Sequence, residues 1–159
     1  YVINPLNTDY YASVDFGVQN NIVTGIKVDP ELVWYLYPID KLLEEYGEPN
    51  EILVEIDEAS SATHNFADVY VLYEKNILVN YSFSRLKEND SLNLCLLDYF
   101  FENLISEKQM ILWAPNTELN FDFTILKPLE KVSEISIGAF YETFREGNKC
   151  FEISKETWN

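Results

Sequence analysis

YPIDKLLEEYGEPNEILVEI, residues Tyr37 to Ile56, changes its hydrophobic period at one sharp break, and that change decides the fold class. Ile39, Leu42, Leu43 and Tyr46 stand at i, i+3, i+4 and i+7, which is one face of an α-helix. Pro38 suits the first turn, where a missing amide hydrogen costs nothing. Gly47 is placed to close the helix in the left-handed conformation, and Pro49 prevents its continuation. Ile52, Val54 and Ile56 then alternate with Leu53, Glu55 and Asp57, the period of a strand with one buried face. The stop leaves only a short turn between the two apolar faces, so the helix of Ile39 to Tyr46 is expected to lie against the strand of Ile52 to Ile56.

Upstream, Tyr11 to Phe16 and Ile22 to Val28 are apolar, β-branched stretches around Gly17-Val-Gln-Asn-Asn21, whose Gly and Asn residues tolerate the positive φ of a tight connection. They read as a β-hairpin that Asp29-Pro30 ends, since proline cannot donate to a ladder. Downstream, the small and polar run from Asp57 to Asn65 reads as a loop. Val69 to Tyr73 and Ile77 to Phe83 form a second hairpin around Glu74-Lys75-Asn76 that looks like a shortened copy of the first.

Arg85 to Asn93 is charged and polar and reads as a linker, dividing the chain into residues 1–84, a linker at 85–93, and a second module at 94–159 that can pack into the same domain. Past it, Leu97, Phe100, Phe101, Leu104 and Ile105 follow helical spacing, and Met110 to Trp113 is a strand stopped by Pro115. Leu119, Phe121, Phe123 and Ile125 alternate as a further strand. Ile137, Phe140, Tyr141 and Phe144 mark a last helix with Ser136 as its cap and Gly147 as its stop, and Phe151 and Ile153 a closing strand. The fold expected is α+β, with amphipathic helices packed on antiparallel β-sheet, readable as two similar modules.

Composition limits the function classes. An apolar fraction of 47% with 15% aromatic residues excludes a disordered chain, and no apolar run approaches the roughly 18 residues that span a bilayer. The net charge is −16, so phosphate backbones and anionic lipid surfaces would be repelled over most of the surface, while a basic protein is a permitted partner. Membrane insertion of this chain is not expected. Two cysteines, Cys95 and Cys150, allow either one disulfide or two buried thiols, and with the single His64 they leave a zinc site one ligand short. Asn80 and Asn89 head glycosylation sequons, matches that arise readily by chance.

Signatures of common enzymes are absent: no Gly-x-Gly-x-x-Gly, no Gly-x-x-x-x-Gly-Lys, no His-Glu-x-x-His and no Gly-x-Ser-x-Gly. Any nucleophilic triad would have to use His64, which sits in a polar loop beside Thr63 and Asn65. Paired carboxylates such as Asp57 and Asp68 could in principle act as a hydrolytic acid and base, but with 27 acidic residues the signal is nonspecific. Asp57, Glu58, Asp68 and Asp90 lie in or beside expected loops, yet no Asp-x-Asp-x-Asp calcium loop is present. No catalytic residue, cofactor or metal ligand is assigned. The run Trp34, Tyr35, Leu36, Tyr37 is too dense to bury on one face, which makes Trp34, Tyr35 and Tyr37 the candidate protein-binding residues.

The order helix, Gly47-Glu-Pro49, strand, Tyr-rich hairpin over residues 38–83 resembles a module of the β-lactamase-inhibitor-like and small outer-membrane lipoprotein (SmpA/OmlA) folds, with Tyr46 where Leu is usual. It is also similar to bacterial lipoproteins carrying Tyr-Gly-x-Pro-x-x-Ile before a strand pair. The resemblance implies a non-enzymatic binding protein of the cell envelope or a secreted one, bacterial and extracytoplasmic. A lipid anchor before Tyr1 and removal of upstream residues by processing are compatible with it. In that setting, with two cysteines only, pairing of Cys95 with Cys150 is expected. The competing expectations are an acidic inhibitor or immunity-like protein that blocks a basic partner, and a small carboxylate-based hydrolase.

Overall fold

In the computed structural model, Gly47 ends α1 (Ile39–Tyr46) with a φ of 82° and a ψ of −159°, its amide donating to the Leu43 carbonyl at 3.0 Å. The positive φ is as the sequence predicts, but the ψ lies outside the left-handed helical well, in a region essentially open only to glycine. Pro38 stands one position earlier than predicted, as the cap before the first helical residue, and its carbonyl accepts from the Leu42 amide. The residues described are 2–3, 12–28, 38–56, 66–74, 76–88, 91–96, 109–115, 117, 121–147 and 150–153.

After the break come β4 (Glu51–Ile56), β5 (Phe66–Tyr73) and β6 (Ile77–Glu88), paired antiparallel in that order. The β5 to β6 turn is closed by Asn76 at a φ of 60°, a conformation Asn tolerates better than most residues. β2 (Ala12–Gln19) and β3 (Ile22–Val28) form the first hairpin, and β1 (Val2–Ile3) pairs only with Ala12 and Ser13. The turn between β2 and β3 is narrower than the Gly17 to Asn21 connection predicted. Asn20 and Asn21 alone make it, both at positive φ, and Gly17 lies inside β2.

Within the stretch expected as a linker, Arg85–Glu88 complete β6 and Ser91–Asn93 open β7 (Ser91–Leu96), and these two strands pair with each other from Phe83 and Leu96 to Glu88 and Ser91. The polar side chains that suggested a linker do not hinder a ladder, because pairing is made by the backbone. Leu92, Leu94 and Leu96 supply the alternation, and Leu94 is fully buried. β8 (Met110–Trp113), β9 (Lys127–Pro128) and β10 (Cys150–Ile153) pair with β3 and β6, with β4, and with β7 respectively. Strands from the two halves of the chain therefore interleave in one antiparallel sheet, ordered β1-β2-β3-β8-β6-β5-β4-β9 with β7 and β10 branching from the far half of β6.

The protein is α+β. One buried cluster joins Ile39, Leu42 and Leu43 of α1 with Ile52 and Val54 of β4, Val69 and Val71 of β5, Val79, Tyr81 and Phe83 of β6, and Leu129 and Val132 of α2 (Leu129–Val132). α3 (Ile137–Arg145) adds Phe140 and Phe144, and β10 adds Phe151. Phe83, Phe140, Phe144 and Phe151 meet at centroid distances of 4.4 to 6.0 Å, mostly edge to face. Ser136 caps α3 as its sequence suggests, accepting from the Ala139 amide at 3.2 Å, and Gly147 follows the helix at a φ of 82°.

A second, smaller cluster of Leu53, Tyr70, Leu78 and Leu126 lies on the other side of these strands, with Phe121 packed against it. β4 thus buries both faces, where its alternation predicted one. The covering residues come from Phe121 to Leu126, a stretch that is not the strand its alternation predicts. Asp122 accepts from the Thr124 amide and hydroxyl at 2.9 and 2.6 Å, and the Leu126 amide donates to Phe123. Those local bonds use the groups a ladder would need. The predicted loop at 57–65 and the predicted helix around Leu97 to Ile105 lie outside the described residues.

Candidate functional site

Four element ends converge at one end of the sheet: the start of β4, the β5 to β6 turn, the end of β8, and the segment from Pro128 through α2 to the start of α3. Between them is an open groove of about 490 Å³, within the range of roughly 300 to 1,000 Å³ common for small-ligand sites. Leu72, Trp113 and Ile137 line it half-buried over the buried Ile52 and Leu129, and Glu51, Glu74 and Glu130 stand exposed beside them. None of its described lining residues is a lysine or arginine.

The walls are held by hydrogen bonds from backbone and side chains. The Asn50 amide donates to the Leu72 carbonyl at 2.9 Å, the Asn50 side-chain oxygen accepts from the Glu74 amide at 2.7 Å, and the Trp113 amide donates to the Asn76 carbonyl at 3.2 Å. Glu130 accepts from the Ile137 amide at 3.4 Å, at the positive end of α3. Tyr73 is 4% exposed and donates its hydroxyl to the Gly47 carbonyl at 3.2 Å. Burial above all, then the neighbouring Tyr141 and Tyr46 phenols, pushes its pKa far above the ordinary value. Tyr73 is therefore a neutral structural donor at physiological pH and cannot serve as a base.

Three carboxylates beside apolar side chains suit an extended cationic side chain. The carboxylates attract the charged head, and Leu72, Ile137 and Trp113 offer apolar surface to the methylene stem. Among the described residues no group of three or more His, Cys, Asp or Glu side chains is disposed to hold a metal.

None of the site residues singled out in the sequence is among the described lining of the groove. Trp34, Tyr35 and Tyr37 lie outside the described residues, as do His64, Asp57, Glu58 and Asp90. Asp68 is in the ladder, between Glu55 of β4 and Ser82 of β6, and not beside a loop. Asn80 is 2% exposed, which removes its sequon from reach of a glycosyl donor in the folded chain. Cys95 and Cys150 are joined as a disulfide. In the sequence the groove residues figure only as parts of local elements, Ile52 and Trp113 in strands, Glu74 and Asn76 in a turn and Ile137 in a helix. Nothing in their spacing says that the four ends meet.

A second exposed feature is the β2 to β3 hairpin. Phe16, Val18, Ile22 and Val23 are 47 to 65% exposed, and apart from Phe123 and Ile125 they are the exposed large apolar side chains among the described residues. Among the described residues no helix is long and apolar enough to cross a membrane. Comparison with protein-family models, with curated proteins and with solved structures finds no match for this chain.

Proposed function

We propose that this protein is a non-enzymatic binding protein, extracytoplasmic and either secreted or held at a bacterial cell envelope, that captures a basic partner protein by taking a lysine or arginine side chain into the sheet-end groove. The observation that carries this reading is the groove itself, apolar at Leu72, Trp113 and Ile137, flanked by the exposed Glu51, Glu74 and Glu130 and free of described cationic lining. A chain of net charge −16 adds long-range attraction for such a partner. The extracytoplasmic setting is supported by the Cys95–Cys150 disulfide and by the resemblance of residues 38–83 to envelope lipoprotein modules. In this reading α1 and α3 form the layer over one face of the sheet and leave its end open. An inhibitor or immunity-like role differs only in what the captured partner can no longer do.

The test is binding of a fluorescent oligolysine peptide, followed by anisotropy at increasing salt. Joint substitution of Glu51, Glu74 and Glu130 by Gln should weaken binding by about tenfold or more. The same charge change made at Glu45, Glu134 and Glu152, exposed and not among the groove's lining residues, should weaken it far less. Equal losses in the two triple variants would mean that the general field, and not the groove, does the binding.

A further inference from the structure

We infer that the Cys95–Cys150 disulfide is a thiol-exchange site, entered by a thiolate at Cys150, whose state controls how firmly β10 is held to the sheet. Strand alternation sets the bond apart from the core. Phe151 and Leu94, the register pair next to it, are 5% and 0% exposed and belong to the main buried cluster. Successive side chains of a strand point to opposite faces, so Cys150 and Glu152 of β10 stand with Cys95 and Asn93 of β7 on the face away from that cluster. On that face Cys150 and Glu152 are exposed, while Cys95 and Asn93 are half-buried.

This difference in exposure fixes the direction of exchange. A thiolate breaks a disulfide by attacking the sulfur it can reach. Here that sulfur belongs to Cys150. Attack forms a mixed disulfide on Cys150 and expels the Cys95 sulfur as a thiolate, which takes a proton from water. A second thiolate then attacks the reagent sulfur of the mixed disulfide and releases Cys150. Two reagent thiols leave joined as a disulfide, and their two electrons reduce the protein bond.

Breaking the bond removes a tie without opening a hole in the core, because both sulfurs lie on the other face. β10 is then held by its four-residue ladder on β7 and by the Phe151 ring, which meets Phe83, Phe140 and Phe144 at centroid distances of 5.7 to 6.0 Å. β4 and β5 pair instead with each other, with β9 and with β6. A short strand at the margin of a sheet opens locally at lower free energy than the strands at its centre. Reduction therefore loosens β10 ahead of the rest and uncovers the aromatic rings that Phe151 packs against.

The test exposes the folded, oxidised protein to reduced glutathione, quenches with acid and maps the adduct by mass spectrometry. Glutathione should appear first on Cys150, and the bond should be reduced within about tenfold of its rate in the urea-unfolded chain. In Cys95→Ser the remaining thiol should react with iodoacetamide about tenfold faster or more than the one left in Cys150→Ser. The reduced protein should keep its far-ultraviolet spectrum, while the ratio of amide exchange in β10 to that in β4 rises about tenfold or more. An adduct that forms first on Cys95 overturns the inference, as does a bond that resists glutathione until urea is added. So does a reduced protein that unfolds as a whole or leaves the exchange ratio unchanged.

Discussion

Cys95 and Cys150 face each other across β7 and β10 as direct register partners, Cα atoms 4.0 Å apart, and their bond ties the last described strand to the middle of the chain. The bridge spans 55 residues. In the chain-entropy account a closed loop of that length restricts the unfolded state by about 4 kcal/mol. The Cys95→Ser, Cys150→Ser variant should therefore lose about 2 to 4 kcal/mol, measured as a lower denaturant midpoint. Thiol titration of the denatured, unreduced protein should find none, and two free thiols would contradict the bond.

Leu43 lies fully buried in the cluster that also holds Ile52 and Val54 of β4. Leu43→Ala should cost about 2 to 5 kcal/mol, from lost apolar burial plus the cavity left behind. Glu44→Ala, one residue on but exposed, should change stability by about 0.5 kcal/mol or less. Equal urea midpoints for the two variants would remove α1 from the core.

Helix ends give smaller, separable effects. At Gly47 an added Cβ would meet nothing within 4 Å, so a substitution there is strained by the backbone alone. Gly47→Ala should cost about 1 to 3 kcal/mol. Gly47→Asn should recover little of this, since the ψ lies outside the well that Asn tolerates. Ser136→Ala should cost about 1 kcal/mol by leaving the Ala139 amide without its side-chain acceptor. Thermal melts of the three variants rank these effects.

Local chemistry was legible in the sequence, and meeting points were not. The period of Ile39, Leu42, Leu43 and Tyr46, the glycine stop and the cap at Ser136 each depend on neighbours within a few residues, so the letters report them directly. The Phe121, Phe123, Ile125 alternation misled because Asp122 holds Thr124 in a turn that no period records. The charged run after Arg85 misled because composition reports solvation and not backbone pairing. The long-range ladders of β8, β9 and β10 leave no local mark, and neither does the groove, which exists only because Asn50, Glu74, Trp113 and Glu130 are brought together by them. The aromatic run at Trp34 to Tyr37 was the most visible surface candidate, and it lies outside the described residues.

Alkali gives a test of the core that needs no partner. Tyr73 and Tyr81 are 4% and 1% exposed, and burial is the first cause that raises both phenols above their ordinary value. Neighbouring phenols add to it, Tyr141 and Tyr46 for Tyr73, and Tyr73 for Tyr81. In the unfolded chain a tyrosine ionises near pH ~10. Below that pH both states hold the proton and its contribution to stability is constant. Above it the unfolded state releases the proton while the folded state keeps it, so stability falls as pH rises, by about 1.4 kcal/mol per pH unit for each such tyrosine. Urea midpoints should therefore drop steeply above about pH 10, and Tyr81→Phe should flatten the drop. Tyr73→Phe should flatten it too, after a fixed loss of about 1 kcal/mol for the hydrogen bond to Gly47. If all 11 tyrosines of the folded protein gave phenolate absorbance at the ordinary pH, or if neither variant changed the slope, these two phenols would not be buried.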